Sequence, residues 1–231
     1  MNKRSILKFI GISALTIGLS AFKLPSLGGG GDSGGADWKS IAQDFNKSFL
    51  QISKAMGLAL DGIIESQKAI GLKTAQAIQL LNETNKANSG SAVPVEIIEK
   101  QFKYMKEATE ELASAVESKK LNDQEKEALA KANVNYAKGF INGVYGYVKF
   151  AMTFSKASKA GQPKPMDIIG VGSVLPDILP NAPALIEALP VAYSAFQAYN
   201  KSLKAADVSI PDSTTKEIDN AKGDMMKGMA G

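Results

Sequence analysis

The chain of 231 residues contains no cysteine and no histidine, and its single arginine is Arg4. Those absences remove imidazole as general base or metal ligand and the thiolate as nucleophile. Beyond residue 4 they also remove the guanidinium fork that grips phosphate or carboxylate. Without cysteine there is no disulfide frame and no site for a lipid-modified N-terminal Cys, so stability must come from an apolar core. A chain of this length can build one. No cofactor and no metal site is expected, because the Glu-x-x-His signature of di-iron bundles needs histidine.

Residues 1–20 read as a secretory signal peptide. Lys3, Arg4 and Lys8 form a positive start, Phe9 to Leu19 an apolar run, and Gly18-Leu19-Ser20 a small-residue cleavage site near Ser20. An uncleaved membrane anchor is the alternative, but the run is shorter than the ~20 residues needed to span a bilayer. Residues 21–36 hold six glycines between Gly28 and Gly35 and form a flexible leader. A single helical domain is expected over residues 37–231, in the periplasm or secreted.

Three of the 27 basic residues lie in residues 1–20, which leaves 24 lysines against 23 acids. The basic pI is therefore mostly the signal's. Lysines are scattered among acids with no basic cluster interleaved with aromatics, so nucleic acid is not an expected partner.

Apolar residues at helical spacing define the rest of the chain. Asp37 is an N-cap, and Trp38, Ile41, Phe45, Phe49, Ile52, Met56, Leu60 and Ile63 form one stripe. Unbroken to Ala87, this helix would be ~75 Å long, while Gly57, Gly62 and Gly71 are candidate breaks that would give two helices. Pro94 opens a further helix with Val95, Ile98, Phe102, Met105, Leu112 and Val116 on its apolar face. Asn122 and Glu125 have capping-box spacing for a helix running to about Ala160. Five prolines between Pro163 and Pro183 predict a broken apolar crossover over residues 161–183, followed by a fourth long helix over about 184–206. Pro211-Asp212-Ser213 starts a short polar helix that is expected to fray from Gly228. No run reads as a strand. The expected fold is all-α: an antiparallel bundle of about four long helices, a Pro-rich apolar crossover and a short polar C-terminal helix.

Two segments are candidates for function. Gly139, Gly143 and Gly146 lie among Tyr136, Phe140, Val144 and Tyr147, a pattern that serves either close helix packing or a face offered to a ligand, a partner or lipid. The crossover adds Ile169 and Leu175, and the fourth helix adds Tyr193 and Phe196. Gly170-Val171-Gly172 is no nucleotide turn, because it lacks the third glycine, a preceding strand and a following helix. The acids Glu107, Glu110, Glu111, Asp123, Glu125 and Glu127 read as solvated, lysine-paired faces. Ser53-Lys54 and Ser155-Lys156 are adjacent pairs whose side chains diverge on a helix, so no catalytic constellation is present.

The resulting expectation is a non-enzymatic binding or accessory protein of the cell envelope. Its partner-binding residues are Tyr136, Phe140, Val144, Tyr147, Ile169, Leu175, Tyr193 and Phe196. The partner is a lipid-like small molecule or an envelope protein, with membrane-surface contact and homodimerisation as further options. A membrane-active protein that inserts the Gly/aromatic segments into bilayers is the alternative.

Overall fold

The computed structural model describes residues 37–90, 93–161, 163 and 174–230. Among these it is all-helical and holds no strand. Six helices follow in order: α1 (Trp38–Ala69), α2 (Ala75–Asn88), α3 (Val95–Ser118), α4 (Asp123–Lys159), α5 (Val174–Ala205) and α6 (Asp212–Ala230).

Local chemistry sets most boundaries. The Asp37 carboxylate accepts the Ser40 N–H at 3.0 Å and starts α1. Of the three candidate breaks, only Gly71 acts. It adopts a left-handed φ of 77° while Leu72 N–H bonds back to the Gln67 carbonyl at 2.8 Å. That six-to-one bond with glycine at the left-handed position is the Schellman end of a helix, so residues 38–88 form two helices. Pro94 is the residue just outside α3. The capping box of α4 is complete: Glu125 N–H donates to Asn122 Oδ1 at 2.9 Å, and Asn122 N–H donates to Glu125 Oε2 at 3.0 Å.

The expected broken crossover is wrong over its second half. Helix α5 begins at Val174, ten residues earlier than the prolines predict, and carries Pro180, Pro183 and Pro190 inside it. An interior proline deprives the carbonyl four residues earlier of its N–H partner, at a cost of about 3 kcal/mol. Those carbonyls belong to Pro176, Leu179 and Ile186. Pro176 is exposed and Leu179 half-buried, so solvent can serve them. Ile186 is buried, and the Tyr147 hydroxyl donates to its carbonyl instead. A side chain from α4 thus takes the place of the missing amide and lets α5 continue. The helical backbone of α6 likewise extends through Ala230, past the predicted fraying point at Gly228.

Helix α1 packs most extensively on α4. A Cβ at Gly139 would lie 2.8 Å from both the Ala55 carbonyl oxygen and the Ala59 Cα, and one at Gly62 would lie 2.7 Å from the Tyr136 Cα. Gly143 meets Met56, and Gly146 meets Ile52. Partners on α1 descend from 62 to 52 while those on α4 ascend from 136 to 146, so the two helices are antiparallel. The absent side chains let the backbones approach closely and raise the number of dispersion contacts between them.

The face of α4 adjoining the glycines is aromatic and packs on α5. Tyr136 meets Phe196 with ring centroids 4.6 Å apart, and Phe140 meets Phe196 at 5.0 Å and Tyr193 at 5.7 Å. Toward the far end of the α1/α4 pair, Phe150 packs between Phe45 and Phe49 at 5.5 and 5.2 Å. Helix α3 covers α5, and α6 covers a third side of α4.

Candidate functional site

Seven of the eight residues singled out by sequence are interior. Tyr136, Phe140, Val144, Tyr147, Leu175, Tyr193 and Phe196 are each at most 3% exposed. Ile169 lies outside the described residues. Their hydroxyls serve the fold. Tyr136 shares a 2.7 Å hydrogen bond with Thr109 of α3, and Tyr147 donates to Ile186 of α5. The Tyr193 hydroxyl accepts from Gln197 at 2.7 Å. Burial pushes the Tyr193 phenol up to about 12, with Asp219 adding to the shift and the Gln197 bond opposing it. Burial likewise raises Tyr199 to about 12. Tyr136 and Tyr147 are raised as well, again chiefly by burial. Neutral phenols in such surroundings are hydrogen-bonding struts.

Both faces of α4 are therefore occupied, the glycine face by α1 and the aromatic face by α5. Inserting this segment into a bilayer would first require separating it from both. Among the described residues, no helix is long and apolar enough to cross a membrane.

The acids behave as surface groups. Glu110 pairs with Lys106 at 2.9 Å, Glu127 with Lys131 at 2.7 Å, and Glu125 with Lys119 at 2.8 Å. The Lys131 hydrogen bond lowers Glu127, while Lys119 and then the Asn122 backbone lower Glu125. No group of three or more acids among the described residues converges as metal ligands would.

Sequence reasoning missed a buried polar layer between α1, α2 and α3. Gln101, fully buried, donates to Thr84 Oγ1 at 2.9 Å and approaches Ser53 Oγ at 3.5 Å. Gln67 donates to the Tyr104 hydroxyl at 3.3 Å. The side-chain oxygens of Gln67 and Gln101 have no donor among the described residues. The available signal was Gln101 at a core position, three residues after Ile98 and next to Phe102.

Concavity lies on the outside, between helices. The α2/α3 cleft, about 510 Å³, is mostly charged and amide-lined, with Glu83, Lys100, Lys103 and Glu107 over Leu80 and Tyr104. A second cleft of about 390 Å³ runs between α3 and α5. Its floor is Phe102, Leu185, Ala188 and Val191, and its rim carries Glu99, Lys103, Lys106 and Glu187. Val191 is 46% exposed, so it lines the open side of the cleft. The α3/α5 cleft is the best candidate site: an apolar floor bounded by both signs of charge.

Compared with known proteins, the chain matches no family model, no curated protein and no solved structure.

Proposed function

We propose that this is a non-enzymatic accessory protein of the cell envelope, exported by the signal in residues 1–20. On this reading α1, α3, α4 and α5 form a four-helix scaffold that presents the α3/α5 cleft to an apolar segment of a protein partner. One observation carries the reading: an open cleft with the apolar floor Phe102, Leu185, Ala188 and Val191 and a rim of mixed charge. A hydrophobic centre with a polar rim is the anatomy of protein interfaces, and a groove between two helices suits an amphipathic helix. Its size is also within the range of small-molecule sites, which leaves a lipid-like ligand as the competing occupant. Tight packing of Tyr136, Phe140 and Tyr147, each at most 1% exposed among the described residues, supports the protein partner over an internal lipid.

Native mass spectrometry of the protein purified from its own cells tests this, with wild type run beside Val191→Asp. A bound protein present with wild type and lost from the variant is the expected result. A bound lipid lost in the same way replaces the partner with a ligand. A bare monomer in both refutes the cleft as a binding site.

A further inference from the structure

The outer edge of the α1/α4 pair is marked by two exposed hydrogen bonds. Asn135 donates to Glu65 Oε2 at 3.0 Å, and Lys149 donates to Gln51 Oε1 at 3.2 Å. Positions 51 and 65 are two heptads apart on α1, and 135 and 149 are two heptads apart on α4. Residues at heptad-like steps near them therefore share this edge. Around the Lys149 end stand Lys47 and Lys54 of α1 with Tyr145, Met152 and Lys156 of α4, all exposed. Met152 is 54% exposed and Tyr145 41%. None of the four lysines forms an ion pair among the described residues, whereas Lys106, Lys119 and Lys131 elsewhere each hold a carboxylate within 3 Å. The acids Asp61 and Glu65 belong to the other end of the edge, and half-buried Asp44 accompanies Lys47.

We propose that this half-edge, Lys47, Lys54, Lys149 and Lys156 around Tyr145 and Met152, docks on the surface of an anionic lipid bilayer. The observations separate this partner from a protein. Protein interface centres are depleted in lysine and continuous in apolar area, whereas here single apolar side chains alternate with unpaired lysines. A lipid surface suits that alternation. Ammonium groups on flexible stems reach diffuse headgroup charge, and an aromatic and a thioether side chain dip between them. Contact is with the surface only, because burying these ammonium groups in hydrocarbon is prohibitively costly. The inference is independent of the α3/α5 cleft, which is built from other helices.

Co-sedimentation of residues 21–231, the chain left after signal cleavage, with vesicles of phosphatidylglycerol and phosphatidylcholine tests it. Lys54→Gln/Lys149→Gln is compared with the charge-matched control Lys86→Gln/Lys216→Gln, which places the same loss on α2 and α6. A lysine near an anionic surface contributes about fivefold to partitioning, so the edge pair should weaken binding about 25-fold. The control pair should change it far less, and 0.5 M salt should abolish the difference by screening. Tyr145→Ser/Met152→Ser should weaken binding while leaving the salt dependence unchanged. Equal losses in the two lysine pairs would overturn the proposal, as would an edge pair that binds like wild type. An acidic protein that binds wild type but not the edge pair, with no vesicle binding by either, would overturn it in favour of a protein surface.

Discussion

The contact between Tyr147 and Ile186 gives the most discriminating test of how this fold holds together. Pro190 has no N–H, so the buried Ile186 carbonyl four residues before it has lost its helical donor, and the Tyr147 hydroxyl supplies the replacement. Tyr147→Phe keeps the ring and removes only that donor, leaving a buried carbonyl unpaired. An orphaned buried acceptor costs about 1–3 kcal/mol. For a domain of roughly 200 residues each kcal/mol shifts Tm by about 2–4 °C. The variant should therefore melt several degrees lower, with helical content unchanged before the transition.

A second background makes the argument refutable. Pro190→Ala restores an N–H to position 190 and returns the ordinary i−4 donor to Ile186. With that amide present, Tyr147→Phe should cost well under half of what it costs in the wild type. The double-mutant cycle, measured by urea unfolding followed through helical signal, should give a coupling of at least 0.5 kcal/mol. Equal cost of Tyr147→Phe in both backgrounds would refute the reasoning. The hydroxyl would then be stabilising α5 by packing or by another bond, and the proline tolerance of α5 would need a different cause.

Two further predictions bear on the core. Gly139→Ala should destabilise by about 1–3 kcal/mol, because the new methyl meets the α1 backbone rather than a movable side chain. Gly223→Ala in α6, where nothing lies within 4 Å, should stabilise by up to about 1 kcal/mol through helix propensity, and thermal melts of both check the opposite signs. Burial raises Tyr193 and Tyr199 to about 12 in the folded protein, against about 10 unfolded. A group whose folded pKa is raised contributes stability that is complete below the unfolded value and lost as pH rises through the folded one. Stability should therefore be flat with respect to these groups up to about pH 10 and fall between about 10 and 12. Phenolate absorbance should rise together with loss of helix, and full phenolate ionisation with helix intact would contradict the burial of these rings.

Much of the fold is legible because helical periodicity is a local property. The stripe from Trp38 to Ile63, the Asn122–Glu125 capping box and the apolar face of α3 each declare themselves within a few turns. The α1–α2 break falls at any of three glycines by sequence alone, since spacing does not say which glycine must take a positive φ. Gly57 and Gly62 are both helical; a Cβ at Gly62 would collide with the Tyr136 backbone, one at Gly57 would make only ordinary contact with Thr84, and Gly71 alone turns the chain. The proline error has the same root. Proline's local rule is sound, but whether it ends a helix depends on what can serve the stranded carbonyl. At Pro180 and Pro183 solvent can do so, because Pro176 is exposed and Leu179 half-buried; at Pro190 the donor is Tyr147, remote in sequence and brought in by α4.

The candidate site was harder to read for a reason that follows from the packing. Sequence reasoning seeks residues too apolar or too aromatic for a plain helix surface, and in α4 it found them. Their density reflects enclosure on two sides: glycines admit α1 and rings fill the gap to α5, so α4 has only a narrow outer stripe. A cleft carries no such excess. Phe102 and Leu185 look like ordinary core positions, and Val191 like an ordinary surface lapse, until α3 and α5 lie side by side and share one floor. The Lys-rich edge is invisible for the same reason, because its lysines alternate between two helices and none is conspicuous on its own. Both the α3/α5 cleft and the lysine edge are composite surfaces of this kind, each assembled from two helices. The informative quantity is then which helices are neighbours, because that decides which dispersed side chains act together.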